Sequence, residues 1–241
     1  MRLDKAVTMA GLSRSEAKEA IRRGRVTLNG GTAKDAALNV NMSDSVCLDG
    51  QKLDLKAHRH IMLFKPAGYL TATEDARGDR TVMELIPQSM RFKDLGPVGR
   101  LDRDVTGLLI LTTDGELAHR LISPKRDVEK QYFARVEGKL GEGDAAAFER
   151  GVELKEFKAK PARLTIVSAQ EDESLCRVFV TEGKFHQVKR MLLAVGHPVI
   201  ELKRERIAEL ELDPALREGE CRFLTDSEER ALYAAAQMET R

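Results

Sequence analysis

Acidic residues cluster beside arginines in residues 99–107, which read G-R-L-D-R-D-V-T-G. This segment directly precedes residues 108–111, a continuous apolar run that is typical of a central strand. A carboxylate at that position, such as Asp102, could serve as a nucleophile or as a base. Residue types alone leave two structural alternatives open: Asp102 could instead form a turn or an ion pair with a nearby arginine.

Basic residues form a second group with possible chemical significance. Arg14, Lys18 and Arg22 are spaced by four and line one face of a predicted helix, and Arg25 follows just past its end. Residues 1–25 carry seven basic and three acidic side chains, whereas the whole chain has a formal charge of only +1. A basic stripe on a near-neutral protein indicates a docking surface for a polyanion. A solvated helix face remains the alternative.

Histidine and cysteine positions do not match a metal-binding motif. The five histidines form no H-E-x-x-H pattern, and the three cysteines have no metal-ligand spacing. An odd number of cysteines also argues against a disulfide framework. We therefore expect no metal site and reduced thiols.

The composition predicts a cytoplasmic protein. Hydrophobic residues make up 42% of the 241 residues, and aromatic residues only 5%, so aliphatic side chains must fill the core. No apolar run approaches the roughly 20 residues of a membrane span, and the N-terminus lacks the apolar stretch of a signal peptide. The length suits one large domain, or a small domain followed by a medium one.

Residues 1–56 are predicted to form a small domain of two helices and short strands. Residues 13–16 read S-R-S-E, a capping-box pattern that begins a helix ending near Gly24. Asn29-Gly30 indicates a hairpin turn, and residues 46–48 a further strand. The polar residues 51–60 are interpreted as a linker.

Residues 57–241 are predicted to form a larger α+β domain with a mostly antiparallel, mixed sheet flanked by helices. Strands are expected at residues 61–64, 108–111, 132–136, 164–167 and 177–181. Val188, Met191, Leu192 and Val195 mark one apolar helix face that ends at Gly196 and Pro198. Strands outnumber crossover helices, which argues against a doubly wound fold.

The N-terminal pattern resembles the S4 RNA-binding domain over about residues 1–50. The matching segments are R-L-D-K at residues 2–5, S-R-S-E-A at 13–17 and I-R-R-G-R-V-T-L-N-G at 21–30. The resemblance implies that the helical pair holds structured RNA by shape and backbone contacts, with Arg14, Lys18, Arg22 and Arg25 as phosphate-binding residues.

The rest of the chain resembles the RsuA family of ribosomal RNA pseudouridine synthases. Four motifs occur in the family's order: F-K-P-A-G at residues 64–68, V-G-R-L-D with T-G-L-L at 98–109, E-K-Q-Y at 129–132 and E-G-K-F-H-Q-V-K-R-M at 182–191. Together with the S4-like segment, the resemblance covers nearly the whole chain. It implies a pseudouridine-synthase fold and an enzyme that isomerises uridine in RNA.

Catalytic roles follow from the resemblance residue by residue. Asp102 corresponds to the catalytic carboxylate, Tyr132 to the tyrosine that stacks on the extruded uracil, and Lys189 to the basic partner of the aspartate. Arg100 corresponds to the arginine that holds the RNA open where the target nucleotide leaves the stack. The reaction neither oxidises the substrate nor imports a group, so no cofactor and no metal are expected.

Residues near Lys189 receive lesser roles. His186 and Gln187 are expected to support the geometry of their loop, and Arg190 is a less favoured substitute for Lys189.

Two other function classes remain open. A non-catalytic S4-type ribosome assembly factor would not need Asp102, Tyr132 and Lys189 to converge. A glycoside-type hydrolase would need a second acid, but Asp104 is expected to point elsewhere on an extended segment.

The predicted substrate is 16S small-subunit ribosomal RNA, at a site of the uridine-516 type, with 23S large-subunit RNA as the alternative. The predicted partner is ribosomal RNA or a ribosomal assembly intermediate, with no membrane association. The protein is expected to act as a monomer.

Overall fold

The computed structural model describes residues 1–41 and 44–239, which divide into two compact units. The first unit comprises residues 1–57, and the second begins at residue 58. The sequence prediction set this boundary after residue 56. No helix within the described ranges is both long enough and apolar enough to cross a bilayer.

The first unit combines two short helices with a small antiparallel sheet. Its elements are α1 (Leu3–Thr8), α2 (Arg14–Arg22), β1 (Val26–Leu28), β2 (Gly31–Thr32), β3 (Val46–Leu48) and β4 (Gln51–Lys52), with strand order β2-β1-β3-β4. Leu3, Val7, Ile21 and Val26 are fully buried in its core. This core is aliphatic, as the scarcity of aromatic residues predicts.

Local signals in the sequence set the ends of these elements. The Ser13 hydroxyl accepts a hydrogen bond from the Glu16 N–H, and the Glu16 carboxylate accepts one from the Ser13 N–H. This reciprocal pair is the predicted capping box at the start of α2. Asn29 and Gly30 have φ of +51° and +83°, the left-handed values that a two-residue hairpin turn requires.

The predicted linker at residues 51–60 is partly wrong. Gln51 and Lys52 pair with β3 as strand β4, and His60 begins the first strand of the second unit. Lys52 tolerates a strand position because β4 lies at the exposed edge of its sheet. His60 is buried, and its Nδ1 lies 2.8 Å from the Thr112 hydroxyl, so its polarity is satisfied inside the protein.

The second unit is an α+β domain built on one mixed sheet, as predicted. Its strands are β5 (His60–Lys65), β6 (Gly96–Pro97), β7 (Thr106–Thr112), β8 (Lys130–Glu137), β9 (Arg163–Ala169), β10 (Glu173–Val180), β11 (Val199–Ile207), β12 (Leu210–Glu211) and β13 (Cys221–Phe223). The order is β13-β5-β7-β11-β8-β10-β9, with β6 beside β7 and β12 beside β11. Among the described strands, only β7 and β11 pair in parallel.

Helices cover the sheet of this unit. They are α3 (Gly115–Ile122), α4 (Glu142–Arg150), α5 (Gln187–Ala194) and α6 (Asp226–Ala235). The Asp114 carboxylate accepts hydrogen bonds from the N–H groups of Glu116 and Leu117 at the start of α3. Thr225 and Glu228 form a capping box at the start of α6.

Strand β7 is buried on both faces, which explains its continuous apolar sequence. Leu109 and Leu111 belong to one hydrophobic core, and Leu108 and Ile110 belong to another on the opposite face. The prediction of a central strand at residues 108–111 is confirmed.

Strands β7 and β11 approach so closely at Gly107 that a side chain would not fit there. Gly107 has a φ of +108°, and a Cβ on it would lie 2.2 Å from the carbonyl oxygen of Arg204. Both the conformation and the space therefore require glycine at this position.

Replacing Gly107 with alanine should lower the free energy of unfolding by about 3 kcal/mol or more, because the added methyl collides with backbone that cannot rotate away. Urea denaturation would measure the loss. Gly30→Ala is the matched control: Gly30 has a φ of +83° but no atom within 4 Å of the position that the methyl would occupy, so about 1 kcal/mol is expected. Equal losses for both variants would contradict the close-approach argument.

Candidate active site

Asp102 lies in a tight turn just before β7. The Val105 N–H donates to the Asp102 carbonyl at 3.1 Å and closes this turn. Thr71 fixes the preceding residue, because its hydroxyl donates to the Leu101 carbonyl at 2.7 Å and accepts from the Leu101 N–H. Leu101 and Val105 are buried in the core, whereas the Asp102 side chain is 26% exposed. The backbone is therefore anchored while the carboxylate stays accessible.

The buried ammonium of Lys65 organises the same turn. Its Nζ lies 2.9 Å from the Val105 carbonyl, 3.1 Å from that of Asp102 and 3.3 Å from that of Arg103. A fourth carbonyl, that of Pro66, is 3.0 Å away. Burial lowers the pKa of Lys65 to about 8. No separate role was predicted for Lys65, although a lysine ending an otherwise apolar strand was a signal that could have identified it.

Lys189 contacts two carboxylates from helix α5. Its Nζ lies 2.6 and 2.7 Å from the carboxylate oxygens of Asp104 and 3.9 Å from Asp102 Oδ2. Hydrogen bonding to Lys189 holds the pKa of Asp104 below its usual range. The segment is not extended as expected, because it turns at Arg103 and Asp104. Asp104 contacts Lys189 with a largely exposed side chain and does not line the cleft that Asp102 lines.

His186 brings a second basic side chain to Asp102. Its Nε2 lies 3.5 Å from Asp102 Oδ1, and its backbone is left-handed, with φ of +51°. Such a conformation costs free energy for a residue other than glycine and is often found at functional sites. The sequence predicted only a supporting role in the loop, and the structure additionally places the imidazole beside the carboxylate.

Gln187 braces the loop that carries His186. Its amide oxygen accepts from the Lys184 N–H at 3.0 Å, and its amide nitrogen donates to Glu182 at 2.8 Å. Burial opposes the ionisation of Glu182, but hydrogen bonds from Lys160, Lys184 and Gln187 hold its pKa below the usual range. These contacts fix the loop without direct involvement of Asp102.

One open cleft brings the candidate residues together. Tyr132, on β8, lines this cleft, and Arg100 lines it with an exposed side chain. The complete lining is Arg100, Leu101, Asp102, Val105, Tyr132, Val180, Glu182, Gly183, Lys184, His186, Gln187, Val188, Lys189 and Leu202. One concave surface is therefore shared by Arg100, Asp102, Tyr132 and Lys189. The first and last of these residues are 89 positions apart in the chain.

The predicted cationic stripe of the first unit is exposed, but most of its members are ion-paired. Arg14 lies 3.8 Å from Asp4, Arg22 pairs with Glu19 at 2.7 Å, and Arg25 pairs with Asp49. Lys18 is exposed between them on α2. The partners of Arg22 and Arg25 are partly exposed, and such ion pairs are weak in water, so these two arginines can exchange their carboxylate partners for phosphates.

Side chains that could bind a metal ion are scattered. Within residues 1–41 and 44–239, no group of three or more histidine, cysteine, aspartate or glutamate side chains is arranged to hold a metal ion.

Comparison with known protein families identifies both units. Residues 59–194 match the family model described as RNA pseudouridylate synthase, and residues 1–53 match the S4 domain. The chain belongs to the RNA pseudouridylate synthase family. The predicted enzyme class, an RNA pseudouridine synthase with an S4 domain, is thereby confirmed.

Full-length relatives of this pseudouridine synthase support the same assignment. It is 40% identical to the ribosomal small subunit pseudouridine synthase A of Salmonella typhimurium, covering 95% of this chain and 98% of that protein. It is 37% identical to the ribosomal large subunit pseudouridine synthase B of Bacillus subtilis, covering 98% and 96%. The resemblance to the RsuA family is confirmed by the first of these relatives.

A solved structure supports the predicted fold. A crystal structure of a pseudouridylate synthase superposes with a TM-score of 0.67 at 35% sequence identity, covering 96% of this chain and 99% of that one.

Lys65→Met should weaken the fold because it leaves four carbonyl oxygens of the active-site turn without their shared donor. We expect a loss of about 3 kcal/mol in the free energy of unfolding near pH 7. Burial lowers the pKa of Lys65 to about 8, against an ordinary value of 10.5. Between these values the unfolded wild type binds more protons than the folded state, so this lysine makes wild-type stability rise with pH.

Urea denaturation at several pH values between 7.5 and 10.5 would measure this contribution. Lys65→Met lacks the titrating ammonium. The free energy of unfolding of this variant should therefore increase less steeply with pH than that of the wild type. Lys93→Met, at an exposed lysine, is the control and should follow the wild type. Parallel profiles for Lys65→Met and the wild type would contradict the role of the buried ammonium.

Proposed function

We propose that this enzyme converts a uridine of 16S small-subunit ribosomal RNA to pseudouridine, with Asp102 as the catalytic carboxylate. The supporting observation is the convergence of Asp102, Lys189, His186 and Tyr132 on one cleft. A non-catalytic assembly factor would have no need for this convergence.

The chemistry requires a carboxylate and no added reagent. The bond between N1 of uracil and C1′ of ribose breaks, the base turns, and a bond forms between C5 and C1′. C5 loses a proton and N1 gains one, so product and substrate are isomers. An ionised carboxylate can attack the base, attack the sugar or remove the C2′ proton, and each route needs it beside the extruded nucleotide.

Basic side chains lie beside the Asp102 carboxylate. Lys189 Nζ lies 3.9 Å from Asp102 Oδ2, and His186 Nε2 lies 3.5 Å from Asp102 Oδ1. Lys65 Nζ donates to the backbone carbonyl of Asp102. A carboxylate enclosed with a nucleobase loses hydration, and nearby cations offset that loss. Lys189 divides its charge between Asp102 and Asp104, so the pairing differs from a two-pronged arginine–carboxylate bridge.

Tyr132 and Arg100 are proposed to handle the extruded nucleotide. The Tyr132 ring lines the cleft with Asp102 and can stack on uracil. Arg100 is exposed at the same cleft, where a cation can replace contacts that the RNA loses when a nucleotide leaves its helix.

The small-subunit target rests on sequence similarity. The chain is 40% identical to a protein named small subunit pseudouridine synthase A and 37% identical to one named large subunit pseudouridine synthase B. A uridine of 23S large-subunit RNA is therefore the second candidate.

Asp102→Asn should reduce pseudouridine formation by about 10⁴-fold or more, because the amide can neither attack nor take a proton. Purified enzyme would be incubated with 16S and 23S transcripts, and pseudouridine would be mapped at nucleotide resolution. The matched control, Asp104→Asn, should lose less than about tenfold, because Asp104 is largely exposed and its partner Lys189 remains.

The two arms of this experiment test different statements. An active Asp102→Asn variant would overturn the role of the carboxylate. Wild-type modification of the 23S transcript alone would replace the proposed substrate with the second candidate. RNA affinity of Asp102→Asn should match the wild type, which separates loss of chemistry from loss of binding.

The stripe on α2 is proposed to bind RNA phosphates. Replacing Lys18 and Arg22 together with glutamine should weaken RNA binding and lower the slope of log K against log salt by about 1.5. Filter binding across a salt series would measure both quantities. Glutamine at Lys34 and Lys52, two exposed lysines outside α2, removes the same charge and should leave the slope nearly unchanged. Equal effects of the two pairs would indicate only a net-charge effect.

A further inference from the structure

Phe185 is strongly exposed beside the catalytic cleft. Its exposed fraction is 70%, the largest among the large hydrophobic side chains in the described part of the chain. Its ring stacks on the imidazole of His186, with centroids 3.7 Å apart and planes 20° from parallel. Because His186 covers one side, the ring has one face available for a further stacking partner.

The exposure of Phe185 does not reflect a loose loop. Glu182 accepts hydrogen bonds from the Lys160 N–H and the Gln187 amide, and Gln187 also accepts from the Lys184 N–H. The ammonium of Lys184 lies 3.6 Å from the centroid of the Phe157 ring. These contacts hold the chain on both sides of Phe185, so its ring has a fixed position. Exposing the ring to water is unfavourable, because its apolar surface is not buried.

The surroundings of Phe185 favour a nucleobase as its partner. Lys184, His186 and Lys189 line the adjacent cleft, so basic side chains lie next to the exposed ring. An aromatic face next to cations is the combination that single-stranded nucleic acid recognises, by stacking and by phosphate attraction. A protein partner would be expected to need a wider apolar patch.

The geometry also limits which nucleotide can reach the ring. His186 is stacked on Phe185 and lies 3.5 Å from Asp102, so one ring separates Phe185 from the catalytic carboxylate. The target uridine occupies the position beside Asp102 and Tyr132 in the proposed function. A base on the free face of Phe185 would therefore belong to a nucleotide close to the target.

We propose that Phe185, supported by His186, is a stacking platform for a nucleobase that flanks the target uridine. It acts as a positioning residue that holds the RNA in register while the target nucleotide is extruded. This inference rests on the proposed function of the cleft and extends it to an RNA contact outside the reacting base.

Steady-state kinetics on the 16S transcript would test the platform. Phe185→Ala should raise KM about tenfold while kcat changes by less than about threefold, because stacking is lost but the reacting groups remain. Phe185→Leu should resemble Phe185→Ala, since leucine is apolar but has no π-face. Phe185→Trp should remain within about threefold of the wild type. Leu193→Ala is the control, because Leu193 is 60% exposed on α5 but does not line the cleft.

Fluorescence provides a readout that a purely structural role would not change. Stem-loop RNAs would carry 2-aminopurine on either side of the mapped uridine and would be bound by Asp102→Asn protein, which cannot react. Stacking on Phe185 should quench one of the two probes. The quenching should disappear when Phe185→Ala is added and persist when Leu193→Ala is added.

The outcomes separate this inference from the proposed function. The wild-type enzyme could modify the RNA while Phe185→Ala leaves both KM and quenching unchanged. That result would overturn the stacking role of Phe185 but not the proposed function. Phe185→Leu that behaves like the wild type would also overturn it, because apolar contact would then suffice. A wild type that modifies neither ribosomal RNA would overturn both the proposed function and the platform.

Discussion

The buried ammonium of Lys65 is the constraint on which the active-site geometry depends. It lies at the end of β5 and binds the backbone carbonyls of Asp102, Arg103 and Val105 across the start of β7. One cation with four carbonyl partners stabilises a turn that sequence propensity alone would not define. Asp102 and Asp104 belong to this turn, so the buried lysine anchors the backbone that carries both carboxylates.

The turn places the carboxylates of Asp102 and Asp104 within reach of basic side chains from another segment. Lys189 contacts both carboxylates, and His186 contacts Asp102 from the other side. The left-handed backbone of His186 costs free energy. The hydrogen bonds of Gln187 stabilise the loop that holds His186 in this conformation. The loop that brings His186 to Asp102 also exposes Phe185, so a single braced segment serves both the proposed chemistry and the proposed RNA contact.

Local signals predicted the elements well, and the errors have identifiable causes. Capping residues and an apolar run predicted α2 and β7, because these signals act over a few neighbouring residues. The expected extended segment at Asp104 is instead a turn, whose carbonyls bind Lys65, a residue far earlier in the chain. The interpretation of residues 51–60 as a linker failed because polarity does not reveal an edge strand or a buried histidine with an internal partner.

By itself, the sequence determined the family, the order of the two units and the identities of Asp102, Tyr132, Lys189 and Arg100 as candidates. These properties are carried by residue types and short spacings. Only the tertiary structure decided that the four share one cleft, that Lys189 is bound more closely by Asp104 than by Asp102, and that Lys65 supports the turn. Such contacts join residues far apart in the chain, and their distances depend on how β5, β7 and α5 pack together.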